Sequence, residues 1–186
     1  MNHMQTTLRH HFRWHSDPPR WPAHRVSYAD VSGWWRNPDL LAQLGPMLGG
    51  LFPKGDPTVV MGVQSRGLLL GPLVAIHLGV GFVEVRKGAE RAAHTDQWFV
   101  RTTAPDYCDE QQELAVRRAV LRGTDRVLFV DEWIATGAQA TACRQLVADA
   151  GADWIGAAVI VDGLDDAEPR RRLPVRSLLR LRDLED

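Results

Sequence analysis

Asp131 and Glu132 stand side by side between the apolar run Val127-Leu128-Phe129-Val130 and the small-residue stretch Ala135-Thr136-Gly137-Ala138-Gln139. Each part of that order has a chemical use. Small residues leave successive backbone N–H groups free to converge on a phosphate, helped by the positive end of a following helix and by the hydroxyl of Thr136. Two carboxylates one step earlier cannot serve the same anion. They suit accepting hydrogen bonds from sugar hydroxyls, or standing near a bound magnesium ion or a developing positive charge. The whole describes a site for a sugar phosphate.

Such residues need elements to hold them. Four consecutive apolar residues read as a strand covered on both faces, as in a parallel sheet. The carboxylates then fall at its C-terminal end, where open α/β sheets bind ligands. The spacing of Ala140, Cys143, Leu146, Val147 and Ala150 predicts a helix directly after the turn. Strands are predicted near 57–63, 81–85, 126–131, 154–161 and 174–181, with helices near 67–78 and 139–150 between them. Asn37-Pro38 makes an N-cap and first position for a helix over 38–51, carried by Leu40, Leu41, Leu44, Leu48 and Leu51 and bent at Pro46. This alternation predicts an α/β fold, a doubly wound parallel sheet flanked by helices. Residues 86–108 show no clear periodicity and are expected to form a lid.

Composition narrows the classes. With 186 residues, 45% of them apolar, the chain fits one domain with a sizeable core. Lys plus Arg 22 against Asp plus Glu 23 leaves no bulk charge for gripping nucleic acid. No apolar run reaches membrane-span length and no secretory signal is visible, so a cytosolic protein is expected. Two cysteines without metal spacing predict neither a disulfide framework nor a structural metal, and Cys143 reads as a helix core residue. The first sixteen residues lack acids and carry His3, His10, His11 and His15. Residues 1–20 are expected to be a mobile tail, and 21–186 a single domain with a hood over about 21–50.

Further motifs share the frame. Val59-Val60-Met61-Gly62-Val63-Gln64-Ser65-Arg66-Gly67 is followed by Gly71-Pro72-Leu73 and by Gly81-Phe82-Val83-Glu84-Val85-Arg86-Lys87. Arg25 to Asp39 ends in Asn37-Pro38-Asp39, and Arg171 to Leu179 closes the chain's last strand. The set resembles type I phosphoribosyltransferases, above all their adenine phosphoribosyltransferase branch, over roughly residues 20 to 182. These enzymes take 5-phosphoribosyl-1-pyrophosphate and replace its pyrophosphate with a nitrogenous base.

The resemblance implies roles. Ala135, Thr136, Gly137, Ala138 and Gln139 would bind the 5-phosphate. Asp131 and Glu132 would face the ribose and stabilise its positive charge, while Ser65, Arg66, Gly67, Arg86 and Lys87 would take the pyrophosphate. Asp131, Glu132, Arg66 and Lys87 are thus the expected catalytic set. Tyr28, Ala29 and Trp133 would border the base, and Mg2+ would arrive with the substrate, held by Asp131 if by any protein group. A homodimer is the family habit, with Arg86 or Lys87 reaching a neighbouring subunit. This chain also departs from the pattern. Ala138 and Gln139 replace a glycine and a threonine, with Thr141 as a substitute hydroxyl. Tyr28-Ala29-Asp30 replaces Phe-Arg-Asp. Trp133 replaces an aliphatic residue, either to stack on a different or larger heterocycle or to pack under the sheet edge. Asp106, Asp109 and Glu110 are unranked candidates for a proton donor to the base. His94 is a candidate for pyrophosphate, and His77 is expected in the core. Two functions remain open: a magnesium-dependent transferase acting on a purine or purine-like base, or a non-catalytic sensor of phosphoribosyl pyrophosphate.

Overall fold

The computed structural model describes residues 3–16, 27–88, 97–105 and 111–185. Two compact units are present, residues 1–43 with 182–186, and residues 44–181.

In the first unit the expected tail is instead ordered over its described part. Helix α1 (His3–His10) leads into strand β1 (Arg13–Ser16), which pairs antiparallel with β2 (Ser27–Asp30) before the short helix α2 (Ser32–Arg36). Burial explains the difference: Leu8, Phe12 and Trp34 are all within 5% of full burial. The Trp34 indole N–H donates to the Leu8 carbonyl at 2.8 Å, and that of Trp14 donates to the Leu184 carbonyl at 3.1 Å. Gly33 is close-packed, since a Cβ there would lie 2.3 Å from the His11 carbonyl oxygen. Helix α3 (Pro38–Gly49) begins in this unit, capped as expected by Asn37, whose Oδ1 accepts from the amides of Asp39 and Leu40 at 3.0 Å.

The second unit carries the sheet. Its elements run β3 (Val59–Val63), α4 (Gly67–Leu78), β4 (Gly81–Lys87), β5 (Trp98–Thr102), β6 (Glu113–Arg117), β7 (Arg126–Ile134), α5 (Ala138–Asp149), β8 (Asp153–Asp162), α6 (Ala167–Arg172) and β9 (Val175–Arg180). The spatial order is β5-β6-β4-β3-β7-β8-β9. All five predicted strands are present and pair in parallel, in the order β4-β3-β7-β8-β9. Numbered along the chain, that is a doubly wound order with its reversal between β3 and β7, the place where ligands enter such sheets.

One expectation fails at the edge. The segment 86–108 is not wholly irregular: β4 runs on to Lys87, and residues 98–102 form β5, antiparallel to β6, which is antiparallel to β4. Helix α5 packs on this hairpin as well as on β7 and β8. Val59, Met61, Phe129, Leu146 and Val159, all buried, form the core of one face. Filling that space with about 1.5–3 kcal/mol per large apolar side chain outweighs the modest local propensities of these segments.

Candidate active site

The site lies at the C-terminal ends of β3 and β7. Register pairs Gly62 with Val130, so β3 ends at Val63 while β7 continues through Asp131, Glu132 and Trp133 along β8. The carboxylates therefore stand at the cleft where the two strands part. The chain leaving β3 turns back at once into α4, and the turn is tight: a Cβ on Gly62 would lie 2.3 Å from the Gly67 carbonyl oxygen, and one on Gly67 would lie 3.1 Å from the Val130 oxygen. Gly62 requires glycine for that reason, while at Gly67 the backbone fit is tight. The Gln64–Ser65 peptide is cis.

This geometry gathers the expected polar residues. Arg66 Nη1 donates to Glu132 Oε2 at 2.9 Å across the gap between the two strand ends. The backbone amide of Lys87 donates to Gln64 Oε1 at 3.2 Å, which holds the end of β4 to the β3 loop, and the Lys87 charge acts on Asp131. Ser65 is exposed. Arg86 is directed elsewhere, paired with Glu84 two residues back on β4 at 2.9 Å.

Asp131 is strongly perturbed. Its Oδ1 accepts from the Glu132 amide at 2.8 Å, and part of the side chain still meets solvent. Its carboxyl is pushed up to about 7, first by desolvation among the packed protein atoms and then by the Glu132 charge, against the amide bond and the charges of Lys87 and Arg66. Burial also raises Glu132, against the pull of Arg66. A carboxyl whose proton is exchangeable near neutral pH, flanked by two cations, is a recognisable feature of reactive sites. Cys143, buried behind Asp131, has its thiol pushed well above the ordinary range, first by desolvation and then by the Asp131 charge, and is a core residue as expected.

The small-residue turn begins at the end of β7. Gly137 adopts φ +78°, a left-handed conformation that glycine permits, and α5 starts at Ala138. Ala138 itself is not among the described residues with positive φ, so the missing second glycine leaves the backbone unstrained. Thr136 Oγ1 accepts from the Ala138 amide at 3.3 Å, a local bond that spans Gly137, the N-cap of α5, which itself has no side-chain cap. The first-turn amides of this twelve-residue helix follow the C-terminal end of β7, the same strand end that carries the carboxylates. Gln139 is partly exposed at that turn.

The Trp133 indole lies against Gly163, where a Cβ would come 3.2 Å from Nε1. Tyr28 and Ala29 sit on β2 of the first unit, with Tyr28 49% exposed and its ring stacked on His15 at 5.5 Å. His94, Asp106, Asp109 and Glu110 lie outside the described residues. His77 is exposed on α4 rather than in the core, because the apolar pattern around it covers the whole helix and does not mark which side is buried. Gln64 opens the loop Gln64-Ser65-Arg66-Gly67 that the resemblance assigns to pyrophosphate, whereas the ion pair of Asp162 with Arg170 has no counterpart among the sequence expectations, because it joins residues eight apart in different elements.

Comparison with known proteins places the chain in a family. The family model of the phosphoribosyl transferase domain matches residues 37–183. An adenine phosphoribosyltransferase of Natranaerobius thermophilus is 31% identical over 148 residues, covering 78% of this chain and 82% of that protein. The crystal structure of adenine phosphoribosyltransferase from Rhodothermus marinus superposes with a TM-score of 0.78 at 30% identity, over 96% of this chain and 98% of its own. That of Trypanosoma brucei, in complex with AMP, pyrophosphate and ribose-5-phosphate, gives 0.80 at 25% identity, over 99% and 82%.

Proposed function

The chain belongs to the phosphoribosyltransferase family, and from that premise we propose that it transfers the 5-phosphoribosyl group of phosphoribosyl pyrophosphate to a purine or purine-like base, releasing pyrophosphate. The observation that carries the reading is the convergence of Arg66, Asp131 and Glu132 on one cleft, one step before the Gly137 turn. The named relatives are all enzymes, and the sensing alternative draws no support from them.

In this reading the α5 amides and Thr136 hold the 5-phosphate, and Arg66 exchanges Glu132 for the pyrophosphate. Breaking the bond from the anomeric carbon to pyrophosphate oxygen leaves oxocarbenium character on the ring. Ionised Asp131 and Glu132 stabilise that charge, and the base nitrogen then supplies the electron pair for the new bond while its N–H proton passes to solvent or to the departing pyrophosphate. Lys87 adds positive charge on the leaving-group side. The donors at the cleft are carboxylate oxygens, which fit magnesium; Asp131 would share the ion with substrate oxygens, and the ion would offset phosphate charge. The exposed Leu69 and Ile76 of α4, 54% and 78% accessible, give a second copy an apolar face to cover, which supports a homodimer.

The test is pyrophosphate release from phosphoribosyl pyrophosphate and magnesium across a panel of purines, deazapurines and pyrimidines. Base-dependent release is expected; its absence with every base, while phosphoribosyl pyrophosphate still raises the melting temperature, would return the sensing role. Within the same assay, Trp133→Leu is expected to raise KM for the accepted base up to about tenfold, the upper end of what one aromatic contact supplies, and to leave KM for phosphoribosyl pyrophosphate unchanged. Equal KM values for wild type and variant would assign the indole to packing over Gly163 alone.

A further inference from the structure

Asp162 ends β8 with its side chain only 4% exposed, and Arg170 of α6 grips both carboxylate oxygens, Nη1 to Oδ2 at 2.6 Å and Nη2 to Oδ1 at 3.0 Å. Nη2 also donates to the Leu164 carbonyl at 2.8 Å, and the Leu164 amide donates to Asp162 Oδ1 at 3.1 Å. Four bonds thus fasten residues 162–170 into a closed ring. An ion pair whose arginine is still 36% exposed adds little net stability, because screening and the desolvation of Asp162 offset most of its attraction; what its forked geometry does well is specify one conformation.

The conformation specified here is the back wall of the phosphate turn. The space beside Gly137 is bounded by Leu164 Cδ2, Leu173 Cδ1 and Pro169 Cβ, 3.2–3.3 Å from where a Cβ would stand. Leu173 is tied in turn by its amide to the Pro169 carbonyl at 2.9 Å. On the other side of the ring the Gly163 amide donates to the Ile134 carbonyl at 2.8 Å, which fixes the chain just before the turn begins. The ring therefore touches the turn at its entrance and at its left-handed glycine.

We propose that Asp162 and Arg170 are positioning residues for the 5-phosphate: without touching substrate, they set the shape of the Thr136–Gln139 turn. The proposal rests on the transferase reading above. The pyrophosphate side, built on the β3 loop, takes no part in the ring.

The test uses full-length Arg170→Lys, which keeps the charge and loses the fork. Binding of ribose 5-phosphate and of magnesium pyrophosphate is measured separately by calorimetry, together with KM for phosphoribosyl pyrophosphate. The expected result is about tenfold weaker ribose 5-phosphate binding, roughly 1.4 kcal/mol, with KM rising in step and pyrophosphate affinity held within about twofold. A folded variant with a lower melting temperature but unchanged ribose 5-phosphate affinity overturns the proposal, as does an equal loss for both ligands. Should Arg170→Lys not fold, Asp162→Asn, which keeps the acceptor for the Leu164 amide, is read the same way. Wild-type protein that fails to bind ribose 5-phosphate at all would overturn the transferase reading, and this proposal with it.

Discussion

Asp131→Asn is expected to lower kcat by about 10²-fold, the loss typical of removing one preorganised charge from the reacting centre. The exchange keeps the acceptor for the Glu132 amide and the packing around it, so the folded structure survives. A second signature is in the pH profile. Because desolvation pushes the Asp131 carboxyl up to about 7, wild-type kcat/KM is expected to rise through that pH as the group ionises. Residual activity of the variant should lack this limb. Stability moves the other way. Between the ordinary carboxylate range and pH 7 the native state binds more protons at Asp131 than the unfolded chain does, so its contribution falls as pH rises across that window. The carboxamide of the variant cannot ionise, and the variant's denaturation midpoint relative to wild type should therefore climb from about pH 5 to about pH 8. A constant difference would mean that Asp131 is already ionised at the acid end of that window in the folded protein.

Gly62→Ala is expected to have an effect of similar size through geometry alone. The added methyl would sit 2.3 Å from the Gly67 carbonyl oxygen and 2.7 Å from its carbon, distances that backbone cannot absorb without moving. Either β3 shifts against β7, or the first turn of α4 backs away and carries Arg66 with it. A displacement near 1 Å at a reacting centre can reduce kcat/KM by about 10²-fold. Loss of activity accompanied by loss of the Arg66–Glu132 pair, seen in a crystal structure of the variant, is the expected outcome. Full activity would show that the loop tolerates the change.

Much of the scaffold is legible in the sequence because its signals are local. Val127 to Val130 read as a doubly covered strand and form the buried start of β7. Asn37-Pro38 read as a helix start and cap α3. Parallel strands carry such continuous apolar runs because helices cover both faces. The β5 and β6 pair gives no such signal, because Trp98 to Thr102 and Glu113 to Arg117 mix charge with apolar residues, and their burial comes from α5, far away in sequence. Helix α1 is illegible for a related reason: a single buried leucine, Leu8, gives no periodicity, and its order depends on Trp34, 26 residues on. At the site, charge and glycine mark Arg66, Asp131, Glu132 and Gly137. The supporting bonds of Gln64, Asp162 and Arg170 exist only once the sheet has brought their partners near, and no spacing rule anticipates them.

The pairing of Gly62 with Val130 has a consequence for the life of the chain. Arg66 and Glu132 are 66 residues apart, and they meet only after β3 and β7 have closed that separation. Partly unfolded chains therefore have no site, and ligand binds the native state alone. Ligand at about 100 times its Kd then adds about 2.7 kcal/mol against unfolding. Since proteases act on opened molecules, the abundance of this protein in a cell should, on the proposed function, track the supply of phosphoribosyl pyrophosphate.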